Sequence, residues 1–190
     1  MIVIIDSSFM RRSLAVAVAA VMAWISLGAC YLGPDPVQYA ALSVIAGRPT
    51  AVVAVCERST VRVELYLNDH SRDGELHLWS VTVTPPNRVQ DVEVELLGTA
   101  RPGWEITSNE EKIIGASPGS FKVVPLTSIE TGHHYTLDSS TGGPEGASAP
   151  AVTFTTDDLP RIGAGQVLAP IDHKRSKVVS RSSFVKERCG

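Results

Sequence analysis

Aromatic side chains make up 6% of the 190 residues, and cysteine, methionine and tryptophan occur three times each. So few cysteines exclude a disulfide-dense scaffold. The five histidines form no metal spacing. His133 and His134 are adjacent, so on a strand they point to opposite faces, and His70 and His77 meet only through tertiary folding. The chain has no long amphipathic helix pattern and no strand–helix alternation of the kind that builds a parallel sheet. Its net charge of −3 at pH 7 lacks the basic footprint of a nucleic-acid binder.

Several strings imitate reactive motifs and fail on physical grounds. Gly115-Ala116-Ser117-Pro118-Gly119 has the outline of a nucleophile elbow, but the residue after that serine must lend its amide N–H to the oxyanion hole. Proline has none, so a plain turn is expected. Asp69-His70-Ser71-Arg72-Asp73-Gly74 begins like a calcium loop, yet the twelfth position is Ser80, inside an expected strand, instead of a bidentate carboxylate. A tight Asp-Gly hairpin explains the same residues. Ser183-Phe184-Val185-Lys186 has Ser-x-x-Lys spacing without its partner motifs. Gly142-Gly143-Pro144-Glu145-Gly146 has no following helix or lysine to cradle phosphate and reads as a loop. No metal, cofactor or catalytic residue is assigned.

At the amino end, Met10 to Cys30 reads MRRSLAVAVAAVMAWISLGAC. Arg11 and Arg12 keep this end on the cytoplasmic side, and Leu14 to Leu27 has the length and apolarity of a signal-peptide core. Asp6-Ser7-Ser8 fits poorly ahead of it, so residues 1–9 are read as a start-site artefact with translation beginning at Met10. Leu27-Gly28-Ala29-Cys30 resembles the lipobox of bacterial lipoproteins. That resemblance implies a signal peptide over 1–29, cleavage before Cys30 and a diacylglyceryl group on its sulfur. Membrane lipid is then the partner through Cys30, since two or three acyl chains, at about 0.8 kcal/mol per buried CH2, hold a protein durably. The alternatives are an uncleaved membrane helix over Leu14 to Leu32 and ordinary secretion.

With Cys30 assigned to lipid, Cys56 and Cys189 remain as an even pair in an exported chain. A bridge between them would stabilise the fold by on the order of 5 kcal/mol in the chain-entropy account; two unrelated thiols are the alternative. The mature length suits one domain, expected over 40–190 after a short tether at 30–39. Charge within it is uneven. Residues 31–171 carry 9 basic and 17 acidic side chains, a balance of −8, whereas residues 172–190 carry 6 and 2, a balance of +4. The basic tail is expected as a solvated edge strand or frayed terminus, or as a contact for acidic headgroups or wall polymers.

Along the body the dominant period is two. Val61, Val63, Leu65 and Leu67 alternate with Arg62, Glu64 and Tyr66, and Val92, Val94 and Leu96 alternate with Asp91, Glu93 and Glu95, expected to face water. Further strands are expected over Thr50 to Val55, Leu76 to Val83, Phe121 to Val124, His134 to Leu137, Ala151 to Phe154 and Gln166 to Leu168. Turn clusters separate them at Asn68 to Gly74, Pro85 to Asn87, Arg101 to Gly103, Ser117 to Gly119 and Ser139 to Pro150. Thr156 to Leu159 caps one short turn. Seven to nine short strands with frequent turns predict an all-β, antiparallel sandwich of immunoglobulin-like type, with Trp79 as its core indole. Cys189 lies too near the C-terminus for a true immunoglobulin domain. The Trp79-Ser80-Val81 strand and the stretch from Phe154 to Leu168 are similar to small exported proteins of high-GC Gram-positive bacteria, a likeness that implies no activity.

Trp79, Trp104, Tyr66 and Tyr135 are candidates for a stacking surface. Core packing is the expected fate of Trp79 and Tyr135, while Trp104, after the Arg101-Pro102-Gly103 turn, is the candidate binding residue. The sequence therefore points to a lipid-anchored binding or structural module on the outer face of the cytoplasmic membrane, with an envelope protein or wall polymer as possible partner. An envelope hydrolase with a site built from loop residues, and a passive spacer, are the other readings. A module predicts an exposed apolar patch and a spacer an evenly polar surface.

Overall fold

A computed structural model describes residues 39–56, 60–68, 75–86, 89–99, 101–107, 112–114, 121–141, 149–172 and 174–189. The calls on the signal segment and Cys30, the Asp69–Gly74 hairpin, the Gly115–Gly119 turn and the Gly142–Gly146 loop lie outside these residues. All described residues belong to one compact unit.

Its architecture is an all-β sandwich, antiparallel at every strand pair but one. The five-stranded sheet runs β12-β11-β1-β2-β5, with β1 Tyr39–Ile45, β2 Arg48–Ala54, β5 Asp91–Glu95, β11 Gln166–Pro170 and β12 Ser176–Ser180. The seven-stranded sheet runs β10-β9-β3-β4-β8-β7, built from β3 Val61–Leu67, β4 Glu75–Val83, β7 Lys112–Ile114, β8 Phe121–Pro125, β9 Tyr135–Thr141 and β10 Val152–Phe154. Its seventh strand, β6 Trp104–Ile106, pairs with the end of β4 that β8 does not use. The β4–β8 pair is the parallel one. Among the described residues twelve strands exceed the seven to nine expected because β1, β6 and β7 carry no clean alternation. β9 also continues to Thr141, into residues expected to turn.

Period-two strands face one another across the inner core. Val61, Val63 and Leu65 of β3 and Leu137 of β9 are at most 1% exposed, and they meet Leu42 of β1, Val53 of β2 and Val94 of β5. Trp79 and Tyr135 lie in this core, as expected. The ring of Tyr135 packs on Phe154 at 5.7 Å between centroids, while its hydroxyl accepts a hydrogen bond from the Glu130 N–H at 2.7 Å. The indole and phenol bring large apolar area to the interior, and the phenol's polar end finds a partner there.

β1 and β2 are joined by the turn Ala46-Gly47, both at positive φ, +51° and +79°. That is the twist a two-residue hairpin needs, and glycine supplies half of it without strain. These two strands are apolar on both faces. Ala40, Leu42, Ala51 and Val53 enter the inner core, whereas Ala41, Val52 and Ala54 belong to a second cluster on the outer face of the sheet.

The C-terminal helix α1, Arg181–Cys189, covers that outer face. The expectation of an edge strand or frayed terminus holds for β12 and fails for α1. Ser180 accepts from the Ser183 N–H at 3.1 Å, the hydrogen bond of an N-cap. Phe184, 1% exposed, and Val185 then pack on Ala41, Val52, Ala54, Val167 and Ala169. Cys189, in the last turn, is joined to Cys56, just beyond β2, with their Cα atoms 4.8 Å apart. A nine-residue helix is marginal in isolation, so this packing and the bridge hold it. Thr156–Arg161 forms a 3-10 helix entered through Thr155, whose N–H and hydroxyl both donate to the Asp158 carboxylate.

Phe184→Ala should lower unfolding stability by about 3–5 kcal/mol, the usual cost of emptying a fully buried aromatic site, with the Cys56–Cys189 bridge intact. Urea denaturation of the oxidised chain followed by circular dichroism measures it.

Candidate functional site

Charged groups converge on the outer face of the five-stranded sheet. In β5, Val92 and Val94 turn inward, so Asp91, Glu93 and Glu95 form a row on the opposite side. The row faces outward as expected, with Glu93 exposed, and arginines lie against it as well. The guanidinium of Arg181 donates from Nε to Asp91 Oδ2 at 2.7 Å and from Nη2 to Asp91 Oδ1 at 2.8 Å, and its Nη1 pairs with Glu93. The two Asp91 bonds form a bidentate fork, the strongest arrangement open to this pair of side chains. Those bonds hold Arg181 above the ordinary arginine range; partial burial opposes the shift and Glu93 adds to it. Arg48 meets Glu95 at 2.7 Å, and Arg101 meets it at 3.4 Å.

Between α1 and the start of β5 lies a cleft of about 700 Å³ lined by Gln90, Asp91, Arg181, Ser182, Lys186 and Cys189, among others. A smaller one, about 220 Å³, sits farther along β5 between Arg48, Glu93, Glu95 and Arg101. In the larger cleft the fixed cation is already neutralised by Asp91 and Glu93. Lys186 lines it and Ser183 does not, so the Ser183–Lys186 spacing yields no joint site there. Ser183 instead accepts a hydrogen bond from the Ser180 hydroxyl at 2.6 Å.

A second polar cluster lies on the outer face of the seven-stranded sheet. On β3, Arg62 Nη2 lies 2.8 Å from Glu64 Oε1, and the Tyr66 hydroxyl donates to Glu64 Oε2 at 2.5 Å. Asp138 of β9 stands directly opposite Glu64. Burial, followed by the hydrogen bond to Glu64 and the charges of Glu64 and Asp138, pushes the Tyr66 phenol well above its ordinary value of 10.0. Tyr66 is thus a held proton donor to a carboxylate and is unavailable as a base. Period-two alternation puts Arg62, Glu64 and Tyr66 on one face; their partnership with Asp138 depends on the β3–β9 register.

Cys56 and Cys189 are brought together, while Cys30 lies outside the described residues. Trp104 is half-buried against the rim of the inner core, and the Arg101 guanidinium sits 5.1 Å from its ring centre. One face of the candidate stacking residue is therefore occupied by an intramolecular cation–π contact. His77 stands 3.8 Å from Glu75. Among the described residues no three side chains cluster as metal ligands, and no helix is long and apolar enough to cross a membrane. Alternation along β5 marks Asp91, Glu93 and Glu95 as one outward row, but no local signal in the chain marks Arg181 as their partner.

Arg181→Ala should cost about 1–3 kcal/mol, because hydrogen bonds to charged groups are lost and two carboxylates remain. Arg181→Lys should recover only part of it, lacking the fork; urea titrations of the three chains compare them. Since the folded pKa of Tyr66 is raised, its contribution is complete below pH 10 and falls as the pH rises beyond. Tyr66→Phe should flatten the alkaline loss of stability, measured as melting temperature against pH.

Comparison with protein-family models, curated proteins and solved structures finds no match to this chain.

Proposed function

We propose that this chain is an extracytoplasmic lipoprotein, cleaved before Cys30 and held by lipid on that sulfur, whose β domain serves as a binding or structural module of the cell envelope. The observation that carries the reading is the Cys56–Cys189 bridge. A disulfide suits an oxidising compartment, and pairing these two leaves Cys30 as the odd cysteine, in the lipobox-like Leu27-Gly28-Ala29-Cys30.

A module is favoured over a spacer by its surface. The exposed large hydrophobic side chains among the described residues, Ile171 and Val178, both belong to the β11–β12 hairpin. A module is favoured over a hydrolase because the arginines and carboxylates beside both clefts are engaged with one another.

The sandwich is of immunoglobulin-like type in this proposal. Two features support it: the order β1-β2-β5 against β10-β9-β3-β4, which corresponds to an ABE sheet facing GFC with an added C′ strand, and Tyr135 at the start of β9, whose hydroxyl binds the backbone five residues upstream. The latter is the arrangement of a tyrosine corner. Strands β6 to β8 fall between the E and F equivalents, and β11, β12 and α1 follow G.

Intact mass of the membrane-extracted protein tests the anchor. The expected species begins at Cys30 and carries a diacylglyceryl increment, and Cys30→Ala abolishes both cleavage and increment. An unmodified chain retaining residues 10–29 would overturn the reading.

A further inference from the structure

We infer that the β11–β12 hairpin docks on the anionic surface of the bilayer that holds the tether, with Ile171 at headgroup level and Lys174 and Lys177 facing lipid phosphates. This rests on the lipid anchor proposed above and names the surface against which the domain lies.

The first argument is geometric. β1 and β11 are antiparallel, with Leu42 opposite Leu168, so three residues along each strand Tyr39 comes beside Ile171. Arg188 ties the same corner: its guanidinium lies 4.4 Å from the centre of the Tyr39 ring and donates to the Pro170 carbonyl at 2.8 Å. The chain thus enters the sheet at the end where the hairpin turns. Tyr39 lies nine positions after Cys30, a chain length that spans at most roughly 30 Å. A lipid on Cys30 holds this end within that distance of the headgroups and sets no such limit on the Ala46-Gly47 end, one strand length farther along the chain.

The second argument is chemical. Ile171 is 44% exposed and Val178 39% exposed, and the neighbouring Lys174, Arg175 and Lys177 are exposed as well. Asp172 neutralises Arg175, accepting from its Nε at 2.8 Å, and also accepts from the N–H groups of Lys174 and Arg175. The turn is thereby fixed from within. Lys174 and Lys177 have no carboxylate partner among the described residues. Each lysine near an anionic leaflet strengthens attachment about fivefold. The balance of −8 over residues 31–171 against +4 over residues 172–190 turns the basic end toward such a surface and the remainder away.

The test uses the full acylated chain in vesicles of equimolar phosphatidylcholine and phosphatidylglycerol. A benzophenone amino acid replaces Ile171 in one preparation and Arg48, at the far end of β1–β2, in another. Non-reducing electrophoresis verifies the disulfide in each. Irradiation should yield lipid adducts from position 171 and not from 48. The yield should fall several-fold in pure phosphatidylcholine, in high salt, and in the Lys174→Gln/Lys177→Gln chain.

Equal labelling from both positions, or none from 171 while the chain still floats with the vesicles, would overturn the docking and leave the anchor standing. A chain that fails to float would overturn both. Crosslinking of position 171 to soluble poly(glycerol phosphate) added before irradiation, in place of lipid, would assign the hairpin to an anionic wall polymer and overturn the bilayer contact.

Discussion

Burial of the five-stranded sheet on both faces is the constraint from which the rest of the molecule follows. A two-layer sandwich covers one face of each sheet, and β1 and β2 present small apolar side chains on both. The outer set, Ala41, Val52 and Ala54, has to be covered by something else. Helix α1 takes that place, and nine residues of helix do not fold alone. Phe184 supplies the apolar contact, Ser180 caps the first turn, and the bridge to Cys56 closes the last. These are three devices for one task.

The same constraint organises the charges. A cation in the first turn of a helix works against the helix dipole, yet Arg181 stands there. Asp91 and Glu93 offset the cost by supplying carboxylates close to the helix N-terminus. In return the arginines cover the charged face of β5, an edge strand whose carboxylates already discourage further strand pairing. At the other edge β12 carries Lys177, and Val178 is exposed beside it. The two edges therefore differ in kind: one is held by internal ion pairs, and the other leaves basic and apolar groups outside. That difference makes the hairpin, rather than the larger cleft, the surface suited to contact with something else.

Legibility in the sequence follows how each residue is buried. β3 was readable because Val61, Val63 and Leu65 face a core while Arg62, Glu64 and Tyr66 do not. The inward faces of β4 and β9 followed, with Trp79 and Tyr135. β1 was missed: Ala40-Ala41-Leu42 is an unbroken apolar run, which periodicity alone cannot assign. That run and Ala51-Val52-Val53-Ala54 are the mark of strands covered on both sides, but neither says what covers the second side. α1 escaped because its sequence, RSSFVKERC, offers just Phe184 and Val185 as buried residues. Trp104 was singled out for its place after a turn, but the contact with Arg101 is tertiary and leaves no mark in the spacing.

The chain by itself determined the all-β class, the inner faces of its regular strands and the charge contrast between body and tail. Each is written locally, in alternation, residue counts or composition. Tertiary structure alone decided that the tail folds back over the sheet, that Arg181 meets Asp91 ninety residues away, and that the hairpin turns beside Tyr39. Those outcomes depend on sheet order and register, and both are settled by which apolar faces find cover when the whole chain packs at once.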